Sequence, residues 1–222
     1  MATTSGSAAN PSSSSTNPLG DELRSARTAK PCVLVIFGAT GDLTKRKLVP
    51  SLMGLAKDGL LPPSFAVIGF ARRTWSDDDF KKELVDGVNQ FGRGGTKDQW
   101  GAHQDAFHFH QSDFGDPKGY VALRERLEQI DRVRGTKGNR IFYLATPPSS
   151  YSTILQNLAS SGLSKEEDGR FARVIVEKPF GRDLASARSL NDQIRAAFHE
   201  GQVFRIDHYL GKETVQNILA LR

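Results

Sequence analysis

The sequence is poor in cysteine. Its 222 residues contain a single one, Cys32, so no internal disulfide bond can form. Because Cys32 leads directly into an apolar stretch, we interpret it as a small buried side chain rather than a reactive thiol. A reducing, cytoplasmic location is consistent with this composition.

The sequence also lacks an apolar run of membrane-spanning length and a dense block of basic residues. The first absence excludes a transmembrane helix. The net charge is +5, but its lysines and arginines are scattered along the chain. A scattered excess of this kind favours anionic small molecules over nucleic acid as partners. We therefore expect neither a membrane nor a nucleic acid partner.

Residues 1–29 are poor in large apolar side chains and rich in Ser, Thr, Ala, Asn and Pro. Such a segment cannot bury enough apolar surface to fold, so we expect a disordered leader. The Ser-rich composition is also compatible with a plastid transit peptide. Asp21 and Glu22 weaken that alternative, and a bacterial-type leader is favoured.

From residue 30 onward, short apolar runs alternate with helical patterns. The runs contain few charges, which is typical of strands buried on both faces of a parallel sheet. Strands connected by helices in this way favour an α/β fold with a doubly wound, mostly parallel Rossmann-type sheet. Residues 30–222 are accordingly predicted to form one domain. The predicted strands are residues 33–37, 65–70, 107–111, 141–145, 171–176 and 203–206.

A glycine turn follows the first of these strands. The apolar run ends at Gly38, Gly41 follows, and a helical pattern then begins. Glycines let a ligand approach the backbone, and the free N–H groups of a first helical turn attract phosphate. Lys45, Arg46 and Lys47 would strengthen an anion site there. The alternative is an ordinary strand-to-helix turn with solvated lysines, since the G-x-x-G spacing alone is weak evidence.

The end of the second strand bears on the kind of dinucleotide. NAD-preferring Rossmann domains place an acidic residue there, whereas NADP-preferring domains place an arginine near the 2′-phosphate. Here the strand is followed by Arg72, Arg73 and Thr74, with no acidic residue. The residues therefore favour NADP, with a solvated loop as the alternative.

The third strand alternates Phe107 and Phe109 with His108 and His110. Two histidines at this spacing could ligate a metal, but no third ligand lies nearby at a suitable spacing. We expect no metal site.

Polar clusters follow the fifth and sixth strands, at the edge where ligands bind in this fold. Lys178 follows the fifth strand and precedes a proline, which favours an extended conformation. After the sixth strand, His208, Tyr209 and Lys212 could hold a phosphate dianion, and Asp207 could orient a histidine acting as general base. Alternatively, Lys178 pairs with its neighbouring glutamate and Asp207 caps the last helix.

Three motifs give the sequence a resemblance to a known family. They read G-A-T-G-D-L-T-x-R-K-L at residues 38–48, E-K-P-F-G-R-D at 177–183 and R-I-D-H-Y-L-G-K-E at 205–213. Their wording and order resemble bacterial-type glucose-6-phosphate dehydrogenases, and the third motif is highly specific to that family. The resemblance runs from about Val33 to the last residue.

The resemblance implies oxidation of D-glucose 6-phosphate at C1 to 6-phospho-D-glucono-1,5-lactone, with hydride transfer to NADP. It is the first step of the pentose phosphate pathway. Asp207 would orient the catalytic histidine. Substrate contacts would come from Lys178, His208, Tyr209 and Lys212. Coenzyme contacts would come from Gly38, Thr40, Gly41, Asp42, Leu43, Arg72, Tyr151 and Lys178.

The resemblance also implies what the 222 residues would lack. The family's general base is a histidine downstream of the third motif, in a second α+β domain, and no histidine follows His208 here. We therefore expect an amino-terminal fragment that lacks the second domain and is inactive alone, from an enzyme that is a homo-oligomer at full length. The alternative is a stand-alone, non-catalytic NADP-binding module.

Overall fold

The computed structural model describes residues 28–92 and 96–207. Only the last two positions of the predicted leader are among these residues, and the last helix, which Asp207 was considered to cap, lies outside them. At the start of the described chain, the N–H of Ala29 donates to the carbonyl of Leu60 at 3.2 Å. No helix in the described part is long and apolar enough to cross a membrane.

Within the described ranges, six parallel strands form one sheet in the order β3-β2-β1-β4-β5-β6. This confirms the predicted doubly wound Rossmann-type α/β fold. The chain begins in the middle of the sheet, builds outward to β3, and returns to add β4 on the other side of β1. The strands are β1 (Cys32–Phe37), β2 (Phe65–Ala71), β3 (Phe107–Gln111), β4 (Arg140–Leu144), β5 (Ala172–Glu177) and β6 (Val203–Ile206).

Helices cover both faces of the sheet. The helices are α1 (Val49–Lys57), α2 (Asp77–Phe91), α3 (Thr96–His103), α4 (Pro117–Arg134), α5 (Tyr151–Ser160) and α6 (Leu184–Ala197). Buried residues of α1, α2 and α3 pack on one face, and those of α4, α5 and α6 pack on the other.

Strand β1, in the middle of the sheet, shows why the predicted strands are apolar at nearly every position. Val35 and Phe37 of β1 belong to the core on the α4 side, whereas Ile36 belongs to the core on the α1 side. All three side chains are fully buried, so neither face tolerates a polar residue. At about 25 cal/mol per Å², burial of this kind is the main term that stabilises the fold.

Local signals fix where the helices begin. Ser76 caps α2 through a reciprocal pair with Asp79, and Asp183 caps α6 through a similar pair with Ser186. Each pair satisfies backbone N–H groups that the first turn leaves without partners. The α4 helix ends at Gly135, which adopts the left-handed conformation with φ of 70°.

Two features differ from the sequence prediction. Helix α3 was not predicted, because the short segment 96–103 has no clear helical spacing of apolar residues and only Thr96 and Trp100 are buried. The helix after the glycine turn also starts irregularly, with a π-helical segment at Thr44–Leu48 before α1. Such segments are rare and often lie near functional sites.

A buried ionic cluster lies at the amino-terminal edge of the sheet. Asp131 of α4 pairs with Arg140 at the start of β4, and it also accepts hydrogen bonds from Thr136 and from the Gly138 N–H. Burial by itself would raise the pKa of Asp131, but the hydrogen bonds from Arg140 and Thr136 outweigh it and lower that pKa. The cluster has no unsatisfied carboxylate oxygen and ties α4 to the sheet.

Candidate functional site

A cleft of about 600 Å³ opens at the carboxyl-terminal edge of the sheet. Its walls come from the segments that follow β1, β2, β3 and β4, where a doubly wound sheet binds its ligand. The residues that line it are Gly38, Thr40, Gly41, Ala71, Arg72, Arg73, Phe114, Ala145, Thr146 and Pro147.

Gly38 forms the tightest point of this cleft. Its φ is +80°, and a Cβ at this position would lie 2.5 Å from the backbone oxygen of Ala145. The N–H of Gly38 donates to the carbonyl of Phe70 at 2.9 Å, and the N–H of Gly41 donates back to the carbonyl of Gly38 at 3.0 Å. The turn is therefore closed on itself and can only be built with glycine at position 38.

Arg72 and Arg73 stand at the mouth of the cleft, directly after β2. The Arg72 side chain is 76% exposed, and its Nε lies 4.0 Å from a carboxylate oxygen of Asp113. The Arg73 guanidinium packs over the ring of Trp75 at 5.1 Å. The structure thus brings the predicted 2′-phosphate contact, Arg72, to the same cleft as the glycine turn.

Asp42 and Leu43 do not line the cleft in this structure. The Asp42 carboxylate faces solvent and lies 3.7 Å from Arg46, and Leu43 packs against the core on the α1 side. Since a bound ligand could contact their backbone N–H groups, these two residues remain predictions.

The three cations after the glycine turn point elsewhere than the sequence suggested. Lys45 donates to Glu83 of α2 at 2.6 Å. Arg46 packs over the ring of Phe91 at 5.1 Å and, with Lys47, lines a different cavity beside α1. None of the three side chains lines the cleft, and contacts with Glu83 and Phe91 direct Lys45 and Arg46 away from it, so this structure does not support the expectation that they strengthen the anion site.

Tyr151 lies beneath the cleft rather than in its wall. The side chain is 2% exposed, and its hydroxyl is 3.5 Å from the carbonyl of Leu144.

Nearby, the hydroxyl of Tyr143 donates to the carboxylate of Glu177 at the end of β5. Burial, together with this carboxylate, raises the pKa of Tyr143. Glu177 is thus held by Tyr143 rather than by the neighbouring lysine.

Lys178 and Asp207 meet across the ends of β5 and β6. The Lys178 ammonium donates to the Asp207 carboxylate, and the side chains are 50% and 20% exposed. The peptide bond between Lys178 and Pro179 is cis. Of the residues expected to contact the sugar phosphate, His208, Tyr209 and Lys212 lie outside the described residues.

The histidines of β3 have partners inside the protein. Nδ1 of His108 lies 3.2 Å from Asp77, and Nε2 of His110 donates to the carbonyl of Gly119 at 2.9 Å. Burial lowers the pKa of both imidazoles. Within residues 28–92 and 96–207, no group of three His, Cys, Asp or Glu side chains could hold a metal ion.

Comparison with known proteins agrees with this geometry. Residues 35–217 match the family described as glucose-6-phosphate dehydrogenase, NAD binding domain. The chain belongs to the glucose-6-phosphate dehydrogenase family. The resemblance seen in the three motifs is thereby confirmed.

Curated relatives of this family extend well beyond the chain. The chain is 50% identical to glucose-6-phosphate 1-dehydrogenase 2 of Mycobacterium bovis, covering 93% of the chain and 41% of the relative. It is 48% identical to glucose-6-phosphate 1-dehydrogenase of Chlamydia pneumoniae, covering 90% of the chain and 40% of the relative. The chain therefore spans about 40% of the length of these relatives.

Solved structures of glucose-6-phosphate dehydrogenases share the fold. One, described as the enzyme in complex with its substrate glucose-6-phosphate, superimposes with a TM-score of 0.77 at 35% identity and covers 88% of this chain and 40% of its own. The enzyme from Mycobacterium avium gives 0.72 at 32% identity, covering 86% and 40%.

Sequence reasoning missed one wall of the cleft of this family member. Phe114 stacks on Phe70 at 6.0 Å, and Thr146 follows β4, where its methyl group would crowd a Cβ at Gly38 at 2.9 Å. A signal was available, because both residues follow strands that end at the ligand-binding edge.

Proposed function

We propose that this chain is the coenzyme-binding part of a glucose-6-phosphate dehydrogenase that uses NADP. The reaction oxidises D-glucose 6-phosphate at C1 to 6-phospho-D-glucono-1,5-lactone. NADP, when bound, would accept the hydride that leaves C1. The observation that carries the proposal is that one cleft, in a chain of this family, is lined by both the closed glycine turn and Arg72.

The cleft fits a dinucleotide in two respects. The absence of a Cβ at Gly38 lets the turn after β1 pack directly against the Ala145 carbonyl, which keeps the turn's backbone in the wall of the cleft. The N–H groups after Gly41 begin a helix, so their partial positive charge favours a phosphate. Thr40, at the cleft wall, adds a hydroxyl that can donate to a phosphate oxygen.

Arg72 supports NADP as the coenzyme. Its guanidinium is exposed at the end of β2, and position 74 adds a threonine hydroxyl. A guanidinium binds a phosphate dianion through two parallel N–H groups, which is the recognition that a 2′-phosphate requires. An NAD-preferring domain would instead need a carboxylate that accepts from the ribose hydroxyls.

The substrate would lie beyond β5 and β6. We assign its phosphate to His208 and Lys212, with Tyr209 beside them, and one side of the sugar to Lys178. The ammonium of Lys178 donates to Asp207, which holds it at the carboxyl-terminal ends of β5 and β6. Asp207 would orient the general base, a histidine that the resemblance places downstream of residue 213. The cleft lining includes none of the four described histidines.

Coenzyme titrations test the proposed cofactor. We expect calorimetry to show tighter binding of NADP than of NAD. Arg72→Ala should weaken NADP binding by about ten- to hundredfold, the range for losing hydrogen bonds to a charged group, and leave NAD within about twofold. Arg73→Ala is the matched control, because that guanidinium packs on Trp75, and it should weaken NADP less. Equal losses for both coenzymes in Arg72→Ala would refute the 2′-phosphate assignment.

The intact mass of the protein in its source distinguishes an enzyme from a binding module. A peptide from Val174 to Arg182 would identify the protein for mass measurement. A mass more than twice 24.4 kDa would support the assignment to a dehydrogenase with a second domain. A mass near 24.4 kDa, with coenzyme binding and no glucose 6-phosphate-dependent NADPH formation, would favour the non-catalytic module.

A further inference from the structure

Arg72 does not face the coenzyme cleft alone. Its side chain also lines a neighbouring cavity of about 440 Å³ between the ends of β2 and β3, together with Asp113. The guanidinium therefore lies between the coenzyme cleft, where an anion would bind, and the carboxylate of Asp113.

Asp113 is held in place by its own loop. One carboxylate oxygen, Oδ1, accepts the N–H of Gly115 at 2.8 Å, and the carbonyl of Asp113 accepts the N–H of Asp116 at 3.2 Å. The loop is tied to β2, because the N–H of Ser112 donates to the carbonyl of Ala71 at 3.0 Å. The second oxygen, Oδ2, is thereby directed towards Nε of Arg72 at 4.0 Å.

This arrangement affects one coenzyme more than the other. A carboxylate beside the guanidinium offsets part of its positive charge and repels a nearby dianion. NADP presents such a dianion at the ribose 2′ position, whereas NAD presents a hydroxyl. The carboxylate therefore lowers the affinity for NADP and leaves that for NAD nearly unchanged.

We infer that Asp113 is a specificity-determining residue that narrows the preference for NADP over NAD by partly neutralising Arg72. The inference rests on the proposed function, because it takes Arg72 as the 2′-phosphate contact. Asp113 acts through Arg72 and is assigned no contact with the coenzyme.

Asp113→Asn removes the charge and keeps the shape. Its amide oxygen can still accept the N–H of Gly115, and the side chain is 59% exposed, so the loop should be retained. We expect NADP to bind about two- to fivefold more tightly, the range set by exposed ion pairs, with NAD changed by less than that. The gain should shrink as salt is added, because salt screens exposed charges.

Asp116→Asn is the matched control. It removes the same charge from the same loop and from the lining of the same cavity, but Asp116 caps α4 through the N–H of Lys118 at 3.0 Å and, among the described residues, forms no ion pair with Arg72. Asparagine is an equally good cap, so the fold should be unaffected. We expect a smaller change in NADP affinity than for Asp113→Asn.

The double variant Arg72→Ala, Asp113→Asn tests whether Asp113 acts through Arg72. If Asp113 acts through Arg72, the Asp113 substitution should have no effect once Arg72 is absent. The inference is overturned if Asp113→Asn weakens NADP binding or changes NADP and NAD binding equally. It is also overturned if Asp113→Asn raises NADP affinity by the same factor when Arg72 is absent. If Arg72→Ala leaves NADP binding unchanged, the proposed 2′-phosphate site itself fails; if only Asp113→Asn is silent, the proposed function stands and this inference falls.

Discussion

The two edges of the sheet carry ion pairs of different kinds. At the amino-terminal edge, Asp131 and Arg140 are 21% and 9% exposed and are surrounded by further hydrogen bonds. At the carboxyl-terminal edge, Arg72 and Asp113 are 76% and 59% exposed and stand 4.0 Å apart. The first pair is largely buried and has its hydrogen bonds satisfied within the protein, whereas the cation of the second pair is exposed and can meet an anion.

The fold separates the charged pairs that stabilise it from those that bind a ligand. A buried, fully satisfied pair contributes to stability because each charge would be costly without the other. A loosely paired cation contributes little to stability, and for that reason its charge remains available to a phosphate. Substitutions in the Asp131–Arg140 pair should therefore change unfolding, and those in the Arg72–Asp113 pair should change binding.

The largest expected effect is on stability, at the amino-terminal edge. Asp131→Ala leaves the Arg140 guanidinium buried without its partner, which should lower the free energy of unfolding by roughly 3 kcal/mol. Asp168→Asn is the control, because its pair with Arg170 is exposed and should contribute about 0–1 kcal/mol, and asparagine tolerates the left-handed backbone at this position. Urea denaturation measures both. Similar losses in the two variants would remove the distinction between buried and exposed pairs.

The next effect combines strain and loss of binding, at the glycine turn. Gly38→Ala forces a Cβ into the Ala145 carbonyl and should destabilise the fold by roughly 1–3 kcal/mol. Coenzyme binding should be lost, because the turn must move to accommodate the methyl group. A titration with NADP and a urea denaturation curve measure the two effects.

A second glycine gives the matched control for that variant. A Cβ at Gly54, inside α1, would meet no atom within 4 Å. Gly54→Ala should therefore stabilise the protein by about 0.5–1 kcal/mol and leave NADP binding intact. If Gly38→Ala bound NADP normally, the glycine turn would not be the coenzyme site.

The pH dependence of stability isolates the charge of Asp131. Because the folded-state pKa is lowered from 3.8, the native protein binds its proton less readily than the unfolded chain does. This contribution is present above pH 3.8 and is lost as the pH falls through the lower, folded-state pKa. Urea denaturation in acidic buffers should show a weaker pH dependence in Asp131→Asn. If the free energy of unfolding of Asp131→Asn varied with pH as steeply as that of the unmodified protein, the lowered pKa of Asp131 would not be its cause.

The smallest expected effect on stability is at the Lys178–Asp207 pair. Half of the Lys178 side chain is exposed, so Lys178→Ala should cost no more than about 1 kcal/mol in the free energy of unfolding. The same substitution should weaken coenzyme binding, since Lys178 is expected to contact the coenzyme. Thermal unfolding and calorimetry test the two parts separately. A large loss of stability with unchanged coenzyme binding would mean that this pair stabilises the fold, as Asp131–Arg140 does, and has no part in binding.

Much of the fold could be predicted because it depends on local patterns. Runs such as Val33–Phe37 are apolar at every position, and only a strand covered on both faces accounts for that. Ser76 and Asp183 marked two helix starts by their side chains alone. Arg72 could likewise be assigned to the cleft, because its place follows directly from the end of a strand.

The rest depended on contacts between distant parts of the chain. The direction of Lys45 is set by Glu83, which lies on another helix, and no pattern around Lys45 indicates it. Asp113 was overlooked for the same reason, since its approach to Arg72 requires β2 and β3 to be neighbours. Helix α3 has a buried tryptophan but too little apolar periodicity to be recognised.

The position of β1 in the sheet has a consequence for how the chain is made. Of the strands in the described part of the chain, β1 leaves the ribosome first, yet it lies inside the sheet, and Val33 can pair on its second side only after Arg140 has been made. Until then β1, β2 and β3 can form only a half-sheet with an exposed, apolar edge. Contacts so distant in sequence slow folding, and open strand edges favour aggregation. The nascent protein should therefore be most vulnerable, and most dependent on chaperones, between the synthesis of β3 and that of β4.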